Sequence, residues 1–140
     1  MMNDVIERDM VLSQPLERVW TALTDPKELA SWFPDRVELD VRPGGEGTFA
    51  FDVDGGEHVA GVVVEAVDPM TRFAFWWGDV GNDVDKRTLV DFTLEPVDGG
   101  TRLHLVESGF AKMANGNEMR EGNEHGWTVQ LGKLPGYLAA

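Results

Sequence analysis

The sequence has no cysteine, few basic residues and no long apolar run. The absence of cysteine among its 140 residues excludes disulfides, thiolate nucleophiles and cysteine-based zinc sites. No apolar run approaches the length of a membrane span. The first residues also lack the basic start and continuous apolar core of a signal peptide. We therefore expect a cytoplasmic protein that is not inserted in a membrane.

Basic residues are scarce, because 12 Lys and Arg stand against 25 Asp and Glu, for a net charge of −13. Nucleic acids and anionic membrane surfaces both need their phosphates neutralised by Lys and Arg, so neither is an expected partner. The acidic residues are scattered through turns and strand edges, which indicates a solvated surface. The length and the ordinary apolar content of 42% predict one globular domain over residues 1–140.

Two short helices are predicted after a first strand at Val5 to Leu12. Four apolar residues of the first helix mark one face at helical spacing: Leu16, Val19, Trp20 and Leu23. A second helix starts at Asp25, with Pro26 in the first helical position and Glu28 placed to complete a capping box. Pro34 is expected to end it.

From Val37 onward apolar and polar residues alternate, which is typical of half-buried strands. Six strands are predicted here, separated by turns such as Asp54-Gly55-Gly56, a clear hairpin signal. Because each connection is short, we expect neighbouring strands to pair antiparallel. The segment from Ser108 to Gly122 has weak periodicity and is predicted to be a mobile connector with at most a turn of helix.

The last segment, Asn123 to Leu138, is predicted to be a long helix. Its apolar residues form one stripe: Trp127, Leu131, Leu134 and Leu138. A lone amphipathic helix after a run of strands needs a sheet face to bury its stripe. The predicted fold is therefore α+β in the order β-α-α-β-β-β-β-β-β-α, with a curved antiparallel sheet around the helix and a cavity between them. Pro135-Gly136 predict a kink or an early stop near its end.

Five blocks of the sequence, in this order and over nearly the whole chain, resemble the SRPBCC (START-like, helix-grip) superfamily. They are Pro15 to Pro34, Arg42 to Phe49, Val62 to Trp77, Gly99 to Phe110 and Gly126 to Leu134. Within the superfamily, the resemblance is to the branch related to the C-terminal domain of the heat-shock chaperone ATPase activator. It implies a helix-grip fold. It does not imply one activity, since the superfamily spans lipid carriers, hormone receptors, aromatase/cyclases and chaperone partners.

In such a fold the cavity lies between the concave face of the sheet and the last helix, and aromatic side chains are its expected lining. The predicted lining residues are Trp32, Phe33, Phe49, Phe51, Phe75, Trp77, Phe92, Phe110 and Trp127, together with Leu131 and Glu107. For any single aromatic residue, ordinary core packing is the stronger alternative. The pocket as a whole is therefore a firmer prediction than any one of its members.

Strand parity separates two neighbouring tryptophans, since successive side chains point to opposite faces. Trp77 shares parity with Phe73 and Phe75 and is expected to face inward. Trp76 then faces outward, as a chance surface residue or as part of a homodimer contact; we favour the homodimer.

Glu107 shares parity with Leu103 and Leu105, so its carboxylate is aimed at the cavity, where it could orient or protonate a ligand. The alternative is a salt bridge with a loop residue such as Arg120. His125 is expected at the start of the last helix, where it could face the pocket mouth. The histidines have none of the short spacings of a helix-borne metal site, and no phosphate or dinucleotide fingerprint is present. We expect no metal and no cofactor.

Three functions remain open at this point. The first, which we favour, is non-catalytic binding of a small apolar or amphipathic molecule, because no acid, base and nucleophile set is apparent. The second is a protein-interaction module that contacts a chaperone, as the resemblance implies. The third is an enzyme of the cyclase or hydrolase type that uses Glu107 or His125 as general acid or base.

Overall fold

A computed structural model describes residues 4–140 of the chain. In chain order its helices and strands are β1 (Val5–Leu12), α1 (Leu16–Thr24), α2 (Pro26–Trp32), β2 (Arg36–Leu39), β3 (Glu46–Val53), β4 (Gly56–Asp68), β5 (Arg72–Asp79), β6 (Thr88–Val97), β7 (Gly100–Ser108) and α3 (Gly116–Ala139). Two short 3₁₀ helices, Val84–Lys86 and Phe110–Lys112, precede β6 and α3. The predicted order of strands and helices is confirmed.

The seven strands form one antiparallel sheet in the order β1-β7-β6-β5-β4-β3-β2. Apart from β1, each strand lies beside its neighbour in sequence, as the short turns predict. The pairing of β4 with β5 shifts register between Val64 and Ala66, an interruption of the kind that bends a sheet locally. The α+β class and the helix-grip architecture are both confirmed.

The inner face of the sheet carries the hydrophobic core and meets α3. Along β6, Val90, Phe92 and Leu94 are buried, while the alternate residues are half-buried or exposed. The stripe of α3 is buried against this core: Trp127, Leu131, Leu134 and Leu138. None of the helices within residues 4–140 is both long and apolar enough to cross a membrane.

The two short helices close one end of this arrangement. The indole nitrogen of Trp32 donates to the carbonyl of Ala22 at 2.9 Å and ties α2 to α1. Asp25 caps α2, since its carboxylate accepts from the amide of Lys27 at 3.0 Å. The predicted capping box is wrong, because Glu28 turns to other partners and accepts from Arg18 at 2.6 Å.

The predicted connector from Ser108 to Gly122 is wrong over its second half. Helix α3 begins at Gly116, well before the predicted start at Asn123, and the first half contains the 3₁₀ turn Phe110–Lys112. Glycine has a poor helix propensity, and Gly116 and Gly122 interrupt the apolar periodicity that would otherwise predict a helix there. The helix forms nonetheless, with Gly116 buried and Met119 packed against the core.

Of the two outcomes predicted at Pro135, the early stop is wrong, because α3 continues through it to Ala139; the kink stays a prediction. Pro135 lies on the exposed side of the helix, so its ring does not disturb the buried stripe. Leu134 and Leu138, which flank it, are 0% and 6% exposed. Burial of these leucines on the opposite side holds the last turn together despite the missing amide donor.

Candidate functional site

A pocket of about 780 Å³ opens beneath the N-terminal half of α3. One wall comes from the inner face of the sheet, at the ends of β3, β4 and β5: Phe51, Val53, His58, Ala60 and Trp77. The opposite wall comes from α3: Met119, Gly122, Asn123, Gly126, Trp127 and Gln130. The segments before β6 and before α3 form the rim. The site therefore lies between sheet and helix, displaced toward the helix start.

Four aromatic rings, from the sheet, from α3 and from the end of α2, meet in one continuous apolar surface, which we call the aromatic wall: Phe33, Phe51, Trp77 and Trp127. The ring centre of Phe33 lies 4.9 Å from that of Trp127 and 5.6 Å from that of Trp77. The two indoles are 5.7 Å apart. These separations are those of favourable aromatic pairs, so the wall is a packed unit.

The space in the pocket has a simple origin in the sequence of α3. Gly122 and Gly126 lie one turn apart and both line the pocket. A side-chain carbon built at either position would meet no atom within 4 Å. The C-terminal half of the predicted cavity is filled instead, because Trp127 packs against Phe92 with ring centres 5.9 Å apart.

Glu107 lies behind the aromatic wall, fully buried at 0% exposure. Its Oε2 accepts hydrogen bonds from the indole of Trp77 at 2.8 Å, the hydroxyl of Thr88 at 2.6 Å and the amide of Asn123 at 3.0 Å. Its Oε1 accepts from the indole of Trp127 at 2.8 Å. A buried carboxylate needs such partners to offset its lost hydration. The four donors on β5, β6 and α3 all belong to pocket-lining residues.

Two of the predicted roles of polar residues are wrong in this structure. Arg120 makes no salt bridge with Glu107; it donates to the carbonyl of Val5 at 3.0 Å and pairs with Glu124. His125 lies within α3, exposed, and does not line the pocket. Neither Glu107, engaged by four donors, nor His125, outside the pocket, is placed as a free acid or base for a molecule held there.

The predicted lining residues divide into three groups. Phe33, Phe51, Trp77 and Trp127 line the pocket. Leu131 lies with Trp127 in a smaller groove beside β1. The others are buried without lining the pocket: Trp32, Phe49, Phe75, Phe92, Glu107 and Phe110. Parity predicts which way a strand residue points, but the distance of each residue from the end of the sheet decides whether it meets the pocket or the core.

Sequence reasoning missed the residues of α3 on either side of Trp127 that line the pocket. Met119, Asn123, Gly126 and Gln130 are spaced at three to four residues and share one face of the helix. This pattern was visible in the sequence once the helix was extended back to Gly116. The side-chain oxygen of Gln130 is buried and has no hydrogen-bond partner among the described residues, so it offers a free acceptor beside the aromatic wall.

Trp76 faces outward as predicted, but it is engaged within the chain. Its indole nitrogen donates to Glu65 at 2.9 Å, and the ammonium of Lys112 lies 5.0 Å from its ring centre. These contacts engage the indole N–H and the face of the ring within the chain, so neither needs a second protein molecule as its partner. In residues 4–140 no group of three or more His, Asp and Glu side chains is arranged to hold a metal ion.

Comparison with known proteins identifies the relatives of this architecture. A model of the family described as activator of Hsp90 ATPase homolog 1-like protein matches residues 13–139. No curated protein matches the sequence significantly.

Several solved structures share the fold along nearly the full chain. Protein MLL2253 from Mesorhizobium loti is 27% identical, with a TM-score of 0.83 and 96% of each chain covered. Protein CV1439 from Chromobacterium violaceum is 26% identical, with a TM-score of 0.81 and 99% of each chain covered. DynU16, encoded in the dynemicin biosynthetic locus, is 24% identical, with a TM-score of 0.82; the match covers 99% of this chain and 48% of DynU16.

Proposed function

The chain belongs to the family of activator of Hsp90 ATPase homolog 1-like proteins, and from this premise we propose that it binds a small apolar or amphipathic molecule in the pocket beneath α3. The observation that carries the proposal is the aromatic wall (Phe33, Phe51, Trp77 and Trp127) facing a space of about 780 Å³. Pockets for small molecules are commonly of this size, apolar, with a few polar groups that fix orientation.

The hydrogen bonds that hold the aromatic wall from its buried side favour a role in ligand binding over a role in core packing alone. Glu107 holds the indoles of both Trp77 and Trp127 at 2.8 Å. Because both rings are fixed in position without a ligand, a ligand does not have to order them on binding. Preorganisation of this kind lowers the entropic cost of association. Asn123, whose amide is held by the same carboxylate at 3.0 Å, and Gln130 supply polar atoms beside the rings.

The test uses pyrenebutanol as a neutral apolar probe, together with native mass spectrometry of the purified protein. Pyrene accepts excitation energy from tryptophan, so a probe beside Trp77 and Trp127 quenches their emission. Gly126→Leu, which places a side chain in the open space of the pocket, is expected to abolish binding. Gly136→Leu is the matched control, because it adds the same side chain to the exposed side of α3 outside the pocket.

Two outcomes contradict the proposal. One is that the wild-type protein neither quenches with pyrenebutanol nor carries any copurified small molecule. The other is that both leucine variants bind the probe as well as the wild type, which would place binding elsewhere. Loss of binding in Gly126→Leu alone, with unchanged circular dichroism, supports the pocket.

The family name favours a second candidate, in which the chain contacts a heat-shock chaperone. Its test is the ATPase rate of the chaperone with and without this protein, accompanied by a pull-down. An unchanged rate and no capture at micromolar concentration would remove this candidate.

A further inference from the structure

A buried negative charge lies directly behind the aromatic wall. Within residues 4–140, Glu107 is the only charged side chain with 0% exposure. Its partners are all neutral: Trp77, Thr88, Asn123 and Trp127. Indole and amide N–H groups donate hydrogen bonds and do not accept them, so they match an ionised carboxylate. No Lys, Arg or His of the described residues forms an ion pair with it. The carboxylate is therefore hydrogen-bonded but has no counter-charge there.

This carboxylate changes the electrostatic character of the two indoles. Trp77 and Trp127 each place the N–H group 2.8 Å from an oxygen of Glu107. A hydrogen bond to an ionised acceptor polarises its donor, which shifts electron density into the indole rings. The faces of aromatic rings attract cations, and indole attracts them most strongly. The wall is therefore better suited to positive charge than to negative charge.

Three of the four rings of the aromatic wall stand at steep angles to one another. The plane of Phe51 makes 64° with that of Trp77 and 62° with that of Phe33, and the planes of Phe33 and Trp77 make 55°. These rings form a corner, which we call the aromatic corner, and not a flat stack. A single group placed there can contact more than one ring, as in the aromatic cages that recognise quaternary ammonium groups. Phe51 and Trp77 are only half-buried, so the corner is open to the pocket.

A second carboxylate, that of Asp79, lies on the same face of the sheet. Asp79 is paired with Ala60 across β5 and β4, and both residues line the pocket. It shares strand parity with Trp77, so its side chain is on the inner face. Among the described residues no basic side chain pairs with it. Its negative charge is therefore available to a ligand held in the pocket.

The basic side chains around the pocket do not reverse this balance. Arg87 lies over Gly78, where an added side-chain carbon would come within 2.7 Å of the arginine Cγ. Gly78 has the outward parity of Trp76, and the ammonium of Lys112 lies 5.0 Å from the ring centre of Trp76 itself. Both cations are therefore on the face of the sheet opposite the aromatic wall. Lys86 is exposed at the rim, in a loop that also carries two exposed aspartates.

We propose that the ligand of this pocket is an amphipathic organic cation, an amine or quaternary ammonium with an apolar body. The positive group lies in the aromatic corner formed by Phe33, Phe51 and Trp77, and the apolar body extends past Met119 into the open space beside Gly126. This inference rests on the proposed function, since it names the ligand class of the same pocket. The net charge of −13 adds a long-range attraction that favours the approach of a cation.

The test compares three probes with the same aromatic body: neutral pyrenebutanol, anionic pyrenebutyrate and cationic 4-(1-pyrenyl)butyltrimethylammonium. Equilibrium dialysis in 0.5 M NaCl gives the three affinities, because salt at this concentration screens exposed charges beyond about 4 Å. We expect the wild type to bind the cation about fivefold or more tighter than pyrenebutanol, as contacts between a cation and aromatic rings predict. Pyrenebutyrate should bind more weakly than pyrenebutanol.

Two variants locate the cause of the preference, which is measured in 0.15 M NaCl as the ratio of cation affinity to pyrenebutanol affinity. Trp77→Phe keeps an aromatic ring but removes the indole and its hydrogen bond to Glu107, and should lower the ratio by about threefold or more. Asp79→Asn changes an exposed side chain and should lower the ratio by about twofold. Asp83→Asn is the matched control, because Asp83 is exposed in the neighbouring loop and does not line the pocket.

The outcomes separate the two proposals. If none of the three probes binds the wild type, the proposed function itself is wrong. If they bind and the cation is held no tighter than pyrenebutanol, the pocket binds ligands and the inference of a cation is wrong. The inference is also wrong if neither Trp77→Phe nor Asp79→Asn lowers the ratio more than Asp83→Asn does. A preference for the cation that falls in either pocket variant supports it, and Asp79→Asn decides alone if Trp77→Phe does not fold.

Discussion

The indole nitrogen of Trp127 donates a hydrogen bond to Oε1 of Glu107 at 2.8 Å, and this contact joins α3 to β7 inside the protein. Both side chains are buried, Glu107 at 0% and Trp127 at 2% exposure. Trp77 approaches the other oxygen of the same carboxylate from β5, also at 2.8 Å. One acidic side chain thus fixes the distance between the helix and the sheet at the floor of the pocket.

Replacement of Glu107 by Gln is expected to destabilise the protein by about 2–4 kcal/mol. The reason is that four donors converge on the two carboxylate oxygens, and an amide NH₂ in place of one oxygen faces donors without an acceptor. Urea unfolding followed by tryptophan fluorescence measures the change. Glu121→Gln, on the exposed side of α3, is the control and should stay within about 0.5 kcal/mol of the wild type. Equal stability of the two variants would contradict the role given to Glu107.

Alanine at both Gly122 and Gly126 is expected to raise stability while it narrows the pocket. Each replacement improves helix propensity by about 0.5–1 kcal/mol, and neither new methyl group meets an atom within 4 Å. Thermal unfolding should show the gain, and titration with pyrenebutanol should show weaker binding. Gly136→Ala separates the two effects, since it offers a similar gain in stability outside the pocket. A stabilised double variant with unchanged affinity would indicate that this part of α3 does not meet the ligand.

Removal of the hydroxyl of Tyr137 tests how the C-terminal end of α3 is anchored. That hydroxyl donates to Glu28 at 2.7 Å, and Arg18 donates to the same carboxylate oxygen at 2.6 Å. Tyr137→Phe should cost about 0.5–1.5 kcal/mol of unfolding free energy. In a Glu28→Gln background the same change should cost less, because the charged acceptor is already lost. Equal costs in the two backgrounds would mean that the contact does not contribute in solution.

The outer surface gives a prediction about acid titration. The hydrogen bond from Arg102 lowers the pKa of Asp9, and a separate hydrogen bond from Arg36 lowers the pKa of Asp52. A carboxyl whose pKa is depressed by folding stabilises the protein above its unfolded pKa, and this contribution is lost as the pH falls through the folded pKa. NMR titration should therefore place both groups below their usual value of about 3.9. In Arg102→Gln the pKa of Asp9 should rise while that of Asp52 stays low; a rise in both would contradict the local cause.

Local patterns were enough to predict the order of strands and helices. Alternation predicts the strand that contains Phe92, and the turn at Asp54-Gly55-Gly56 predicts the hairpin of β3 and β4, because both signals act over a few residues. The first half of α3 escaped prediction because Gly116 and Gly122 weaken local propensity, and packing decides the conformation there instead.

The candidate site was predictable only in part, because its arrangement also depends on packing between distant segments. Parity correctly places Trp77 and Glu107 on the inner face. The partners of Glu107 come from positions 16 to 30 residues away in the chain, and their convergence depends on the register of three strands and the position of a helix.

The burial of α3 is uneven along its length, and this has a consequence for solvent access. After Trp127 the helix buries three leucines, whereas before it Gly116 is the single buried residue of the helix. Amide hydrogens in a helix exchange with solvent through local opening, whose free energy follows the contacts that must be broken. Deuterium should therefore enter the backbone between Glu118 and Gly126 well before it enters the turns that hold Leu131 and Leu138. The first turns of α3 can unfold and re-form over the pocket while the rest of the helix stays packed against the sheet.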